Sequence, residues 1–131
     1  MAEHENAARL RKGYEAFASG DLAAMDEFIP EDAVWHVTGN NVFSGDYKGR
    51  AEIYGYFGNL VQASGGTFKA ELVHATADDE YGFAIQRTTG TFNGEEVSTT
   101  DILVDRVVDG QAVETWIYLE DESVLKRVQL G

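Results

Sequence analysis

Residues Asp32 to Gly49 read D-A-V-W-H-V-T-G-N-N-V-F-S-G-D-Y-K-G. Val34 to Val37 has the composition of a short strand, Gly39, Gly45 and Gly49 punctuate the loop that follows, and an amphipathic helix comes next. Upstream, Ala7, Leu10, Tyr14, Phe17 and Ala18 recur at spacings of three and four, which predicts a helix over Ala7 to Ser19 with one apolar stripe. Gly20 suits its C-terminal stop. Asp21 suits the cap of a second, short helix carrying Leu22, Met25, Phe28 and Ile29, which Pro30 ends. A third helix is expected over Ala51 to Gln62, with Ile53, Tyr56, Phe57 and Leu60 on its inner side and Gly65-Gly66 closing it.

From Thr67 onward the hydrophobic period changes to two, and four long strands are expected at Phe68–Asp78, Tyr81–Phe92, Val97–Val108 and Ala112–Leu119. Asn93-Gly94 and Asp109-Gly110 are strong hairpin signals, because Asn or Asp followed by Gly accepts the positive φ that tight hairpin turns need. Adjacent strands are therefore expected to run antiparallel. Helices followed by a meander give an α+β layer with the helices on one sheet face. Asp121 to Gly131 reads as a short tail with one helical turn.

Composition narrows the function. The chain has 131 residues, no cysteine, and 10 basic against 23 acidic residues, a formal net charge of -13. Such a charge repels phosphate backbones and anionic bilayers, so neither nucleic acid nor membrane is an expected partner. The absence of cysteine removes disulfides, thiolate metal sites and cysteine nucleophiles. His4, His36 and His74 lack metal-ligand spacing, so no metal is expected. No phosphate loop or dinucleotide fingerprint is readable, and no cofactor is expected. The N-terminus lacks the basic start and apolar run of a signal peptide, which makes a cytoplasmic location the expectation.

On the D-A-V-W-H-V strand, the glycine-punctuated loop after it and the Ser19-Gly20-Asp21-Leu22 helix end, the chain resembles the nuclear transport factor 2-like superfamily, in its SnoaL-like polyketide-cyclase and ketosteroid-isomerase branch. The resemblance covers nearly the whole chain and implies a single domain over residues 1–131. It implies a cone-shaped α+β fold in which three N-terminal helices pack on a strongly curved antiparallel β-sheet and enclose an apolar pocket. It also implies a homodimer paired through the opposite sheet face, where Ile102, Val104 and Val108 would lie.

The resemblance assigns strand faces, and side-chain alternation carries each assignment along its strand. Trp35 and Val37 are placed inward and His36 outward. Val37 then stands where ketosteroid isomerases carry their catalytic aspartate, Gly13 where they carry the oxyanion tyrosine, and Leu103 where they carry a second, protonated aspartate. Tyr14 is adjacent to the tyrosine position. Ala84, Gln86 and Tyr118 match the arginine and two aspartates of limonene-epoxide-hydrolase-like proteins, so that triad is absent too. Hydrophobicity alone would bury the Ile102 and Val104 face of the third long strand; the resemblance instead turns Asp101, Leu103 and Asp105 toward the pocket. The two arguments agree if the Ile102 face is covered by a second copy.

The candidate catalytic residues are therefore Asp105 and Asp101, two carboxylates four residues, or two same-face positions, apart that would share acid and base work, and His36, the only histidine within the motif. The candidate substrate-binding residues are Tyr14, Gln86 and Tyr118 as hydrogen-bonding groups, with Trp35 and Trp116 as aromatic walls. The expected function is acid–base proton transfer on an apolar, ring-containing carbonyl compound, in the isomerase, cyclase or dehydratase class. Two alternatives stand beside it: a noncatalytic protein that binds a hydrophobic ligand, and an epoxide hydrolase-like enzyme.

Overall fold

A computed structural model describes residues 3–130. Helix α1 spans Glu5–Ser19 and stops at Gly20, whose φ of 70° places it in the left-handed region. Helix α2 spans Leu22–Phe28, and the Asp21 carboxylate caps it by accepting from the Ala24 amide. Strand β1 (Val34–Val37) and strand β2 (Gly45–Lys48) precede helix α3 (Arg50–Ala63). The meander follows as β3 (Lys69–Ala77), β4 (Tyr81–Phe92), β5 (Glu95–Val108) and β6 (Gln111–Tyr118), and Leu125–Arg127 form one 3-10 turn. β2 lies inside the stretch predicted to be loop. Its residues G-D-Y-K are mostly exposed and show no apolar alternation, as suits a short, charged edge strand.

The strands form one six-stranded sheet in the order β2-β1-β6-β5-β4-β3. The meander is antiparallel, as the turns predict, whereas β1 lies parallel to β6 and makes the sheet mixed. At the β4–β5 turn Asn93 has φ 53° and Gly94 φ 78°; at the β5–β6 turn Asp109 has φ 50° and Gly110 φ 77°. These consecutive positive angles are those of the hairpin turn that matches strand twist, so the local residues and the pairing agree.

The buried core lies between the inner sheet face and the helices, with Leu10, Ile29, Trp35, Phe43, Ile53 and Phe92 in one cluster. Strand register arranges the inner face in rows. Trp35 of β1 is level with Thr115 of β6, which is level with Asp105 of β5 and then Gly82 of β4. The next row is Val37, Ile117, Leu103 and Ala84. Beyond it Asp101 is level with Gln86, and then Thr99 with Thr88.

One irregularity decides which way β6 faces. Ala112 points inward opposite Val107, and uninterrupted alternation would carry Glu114, Trp116 and Tyr118 inward with it. The register shifts between Arg106 and Val107, so Val113 is an extra residue on β6. Such a bulge reverses parity. Thr115 and Ile117 face the core instead, and Tyr118 is 47% exposed. The inward placement of Trp116 and Tyr118 is thereby corrected.

Because the Asn93-Gly94 turn fixes the register of β4 on β5, Gly94→Val should lower unfolding free energy by about 1–3 kcal/mol, the cost of a β-branched residue at positive φ. Urea denaturation reads the loss, and Asn93→Gly at the neighbouring position should leave the midpoint nearly unchanged.

Candidate active site

Between the inner sheet face and the helices is a cavity of about 100 Å³. Its walls are mostly apolar, from Leu10 and Phe17 of α1, Tyr56 and Phe57 of α3, and Leu125 of the C-terminal segment. An engineered apolar cavity of about 150 Å³ holds benzene, so this space is on the scale of a single ring. Trp35 and Val37 line it, as placed from the sequence, and so do Tyr14, Gln86, Asp101 and Asp105.

The two aspartates have different surroundings. Asp101 is 1% exposed, and both its oxygens are engaged: Oδ2 accepts from the Thr88 hydroxyl at 2.6 Å and Oδ1 from the Glu120 amide at 3.1 Å. Thr88 in turn accepts from Gln86 Nε2 at 2.9 Å, and Gln86 Oε1 accepts from the Tyr14 hydroxyl at 2.5 Å. A directional chain thus runs from Tyr14 through Gln86 and Thr88 to Asp101. Burial first, then the charges of Asp105 and Asp101, holds the Tyr14 phenol far above its ordinary range, so it remains a neutral donor.

Asp105 is also 1% exposed, but it has only one partner, the Thr115 hydroxyl, which donates to Oδ1 at 2.5 Å. Its Oδ2 is buried with no hydrogen bond among the described residues. Burial pushes its pKa up from 3.8 to about 7, and the bond from Thr115 opposes the rise. A carboxyl that changes charge near neutral pH with one oxygen uncommitted is the arrangement a general acid–base group requires. Neither aspartate pairs with a basic side chain: Arg87 faces Ser98, and Arg106 faces Glu114.

The aspartates do not form a pair. They are four residues apart on one strand, a rise of roughly 13 Å, and Leu103 stands between them on the same face. In place of the shared acid and base work expected from the sequence, the geometry divides them: Asp101 anchors a network and Asp105 stands apart from it.

Three other residues proposed from the sequence lie on the outer sheet face, away from the cavity. His36 is held between two carboxylates, Asp46 Oδ1 at 2.6 Å from Nδ1 and Glu114 Oε2 at 2.7 Å from Nε2, and its ring stacks on Trp116 with centroids 5.5 Å apart. The bonds to Asp46 and then Glu114 raise its pKa. With both nitrogens engaged on the outer face, His36 is a surface ion-pair residue, which corrects its candidacy as a catalytic group. Trp116 is its stacking partner and Tyr118 is exposed; neither lines the cavity.

The sequence reading passed over Thr115, whose signal was hidden by the bulge, and gave no role to Thr88, although its inner face was legible. Tyr56 was placed inward as core; it lines the cavity and packs at 6.3 Å from Trp35. Among the described residues no group of three or more His, Cys, Asp or Glu side chains could hold a metal ion, and no helix is long and apolar enough to cross a membrane.

The family model of the SnoaL-like domain matches residues 10–115. Among solved structures, Bal32a from a soil-derived mobile gene cassette is 35% identical, with a TM-score of 0.84 and coverage of 88% of this chain and 89% of that one. A protein of unknown function with a cystatin-like fold from Xanthomonas campestris is 25% identical at a TM-score of 0.83, covering 90% and 92%. IdmH of Streptomyces antibioticus, a candidate polyketide cyclase, shares the fold at 24% identity and a TM-score of 0.74, covering 94% and 96%. No curated protein matches the chain.

The raised pKa of Asp105 makes stability depend on pH in a stated direction. The folded chain keeps a proton on Asp105 that the unfolded chain releases near 3.8. The stability this supplies is full below about pH 4 and is lost as pH rises through about 7. Relative to Asp105→Asn, which retains an acceptor for Thr115, the wild type should therefore weaken by up to a few kcal/mol across this window and change no further above it. Paired urea titrations from pH 4 to 8 measure the difference.

Proposed function

The chain belongs to the SnoaL-like domain family, and from that premise we propose that it catalyses proton transfer on a small, apolar, ring-containing carbonyl compound. The observation that carries this reading is Asp105 with its free Oδ2 in an apolar cavity. In its ionised form Asp105 takes a proton from the carbon next to the carbonyl, and the electron pair passes to the carbonyl oxygen to give an enolate. Return of the proton to another position makes an isomerase; attack of the enolate on a second carbonyl makes a cyclase. Water exclusion helps both, because a carboxylate in a dry site is a stronger base than one in water. Asp101 holds Gln86 and Tyr14 in place through Thr88 and is a positioning residue.

Deuterium exchange of the α-hydrogens of cyclohexanone in D2O, followed by NMR, tests this without knowledge of the natural substrate. Exchange catalysed by the wild type should rise with pH through about 7, where Asp105 loses its proton. Asp105→Asn should cut it by about 10²-fold or more. A wild type that binds the ketone without exchanging its hydrogens would instead be a hydrophobic-ligand-binding protein.

We also propose that a second copy of the chain covers the outer sheet face. Phe83, Ile85, Ile102, Val108 and Tyr118 are exposed there on neighbouring strands, and contiguous apolar surface of this kind is seldom left in water. Light scattering at micromolar concentration should give twice the chain mass, and Ile102→Asp should give the mass of one chain; a wild type of single mass overturns the proposal.

A further inference from the structure

The cavity holds a second orphan. Trp35 is 8% exposed and lines the cavity, and its indole Nε1 is buried without a hydrogen-bond partner among the described residues. An indole N–H can only donate. Leaving such a group unpaired is costly, so a buried donor beside a ligand-sized space stands ready for an acceptor that the described residues do not supply.

Its place relative to Asp105 gives it meaning. Trp35, Thr115 and Asp105 occupy one row across β1, β6 and β5, so the outer two are two strands apart, about 10 Å between backbones. The side chain between them, Thr115, has already given its hydroxyl hydrogen to Asp105. The Tyr14 hydroxyl hydrogen is likewise committed, to Gln86. The row therefore carries a buried carboxyl oxygen without a partner at one end and a buried N–H donor without a partner at the other, and the rings of Phe57 and Tyr56 pack on the indole.

We propose that the Trp35 indole N–H binds the carbonyl oxygen of the substrate and stabilises the negative charge that reaches that oxygen when Asp105 removes the α-proton. The inference rests on the carbonyl reading above and narrows it. The ligand is a ketone of about one ring, carrying its oxygen on the Trp35 side and its acidic C–H on the Asp105 side. No bond to Trp35 forms: the proton moves from carbon to Asp105, the electron pair moves to oxygen, and the indole hydrogen bond shortens as charge accumulates there.

Two probes of matched shape separate this from simple packing: cyclohexanone, and methylenecyclohexane, in which the oxygen is replaced by CH2. In Trp116→Phe, which removes the indole on the outer face, the single indole N–H signal is that of Trp35. Cyclohexanone should move it downfield and methylenecyclohexane should not. In Trp35→Phe, the preference for the ketone over the hydrocarbon should fall about five- to tenfold, the value of one neutral hydrogen bond. Loss of packing affects both probes and leaves their ratio unchanged. Asp105→Asn should keep the indole response, so failure of the base assignment and failure of the donor assignment give different results. An indole signal that responds equally to both probes, as it would if the N–H were spent on the Phe57 ring, overturns the proposal, as does an unchanged affinity ratio in Trp35→Phe.

Discussion

The alternation of side chains along β5 is the constraint on which the site depends. Its inner positions run Val97, Thr99, Asp101, Leu103, Asp105 and Val107, all buried, and its outer positions carry Ile102, Arg106 and Val108. A slip of one residue against β4 or β6 would send both carboxylates into solvent and bring the outer set under the helices. β5 is held on both sides by long antiparallel neighbours whose turns demand specific backbone angles. The sheet can therefore keep two acidic groups in an apolar layer that composition alone would not put there.

Those two groups show how one residue type is given two jobs by its partners. Asp101 ends a chain of donors, with an acceptor bond on each oxygen, and its work is to fix the orientation of Gln86 and Tyr14. Asp105 has a single bond and a buried oxygen without a partner, and burial raises its proton affinity. Buried polar groups are usually satisfied, and an exception in a concave site points to a ligand. Two such exceptions, on Asp105 and Trp35, belong to the same row of the sheet.

Much of this was legible in the sequence, and the failures have a common cause. The helices, the meander and its turns follow from local periodicity and from glycine and asparagine chemistry, which act within a few residues. The inward faces of β1, β4 and β5 followed from the family resemblance, even where hydrophobicity argued the reverse for Asp101 and Asp105. β6 was misread because the resemblance was carried onto Tyr118 and its neighbour Trp116, whereas the facing there is set by one inserted residue, Val113, which leaves no compositional mark. The positions of Trp116, Tyr118 and Thr115 all turned on it. The Tyr14–Gln86–Thr88–Asp101 chain was out of reach for a different reason: its members come from three separate elements, and only the packed fold brings their polar atoms together.

Beside Asp105 the sheet carries residues with little or no side chain: Gly82 next to it, Ala84 in the following row, and Ala75 beyond that. A methyl group added at Gly82 would meet Leu10 Cδ2 at 3.6 Å and Asp105 Cβ at 3.9 Å, ordinary contact distances, and the position does not need a positive φ. These small residues do not themselves line the cavity; they let a residue that does, Leu10, lie close on the sheet beside Asp105. Such a scaffold is evolvable in a specific sense. The outline of the cavity can shift through small substitutions behind its wall, one at a time, while the residues that line it, Asp105 among them, are inherited unchanged.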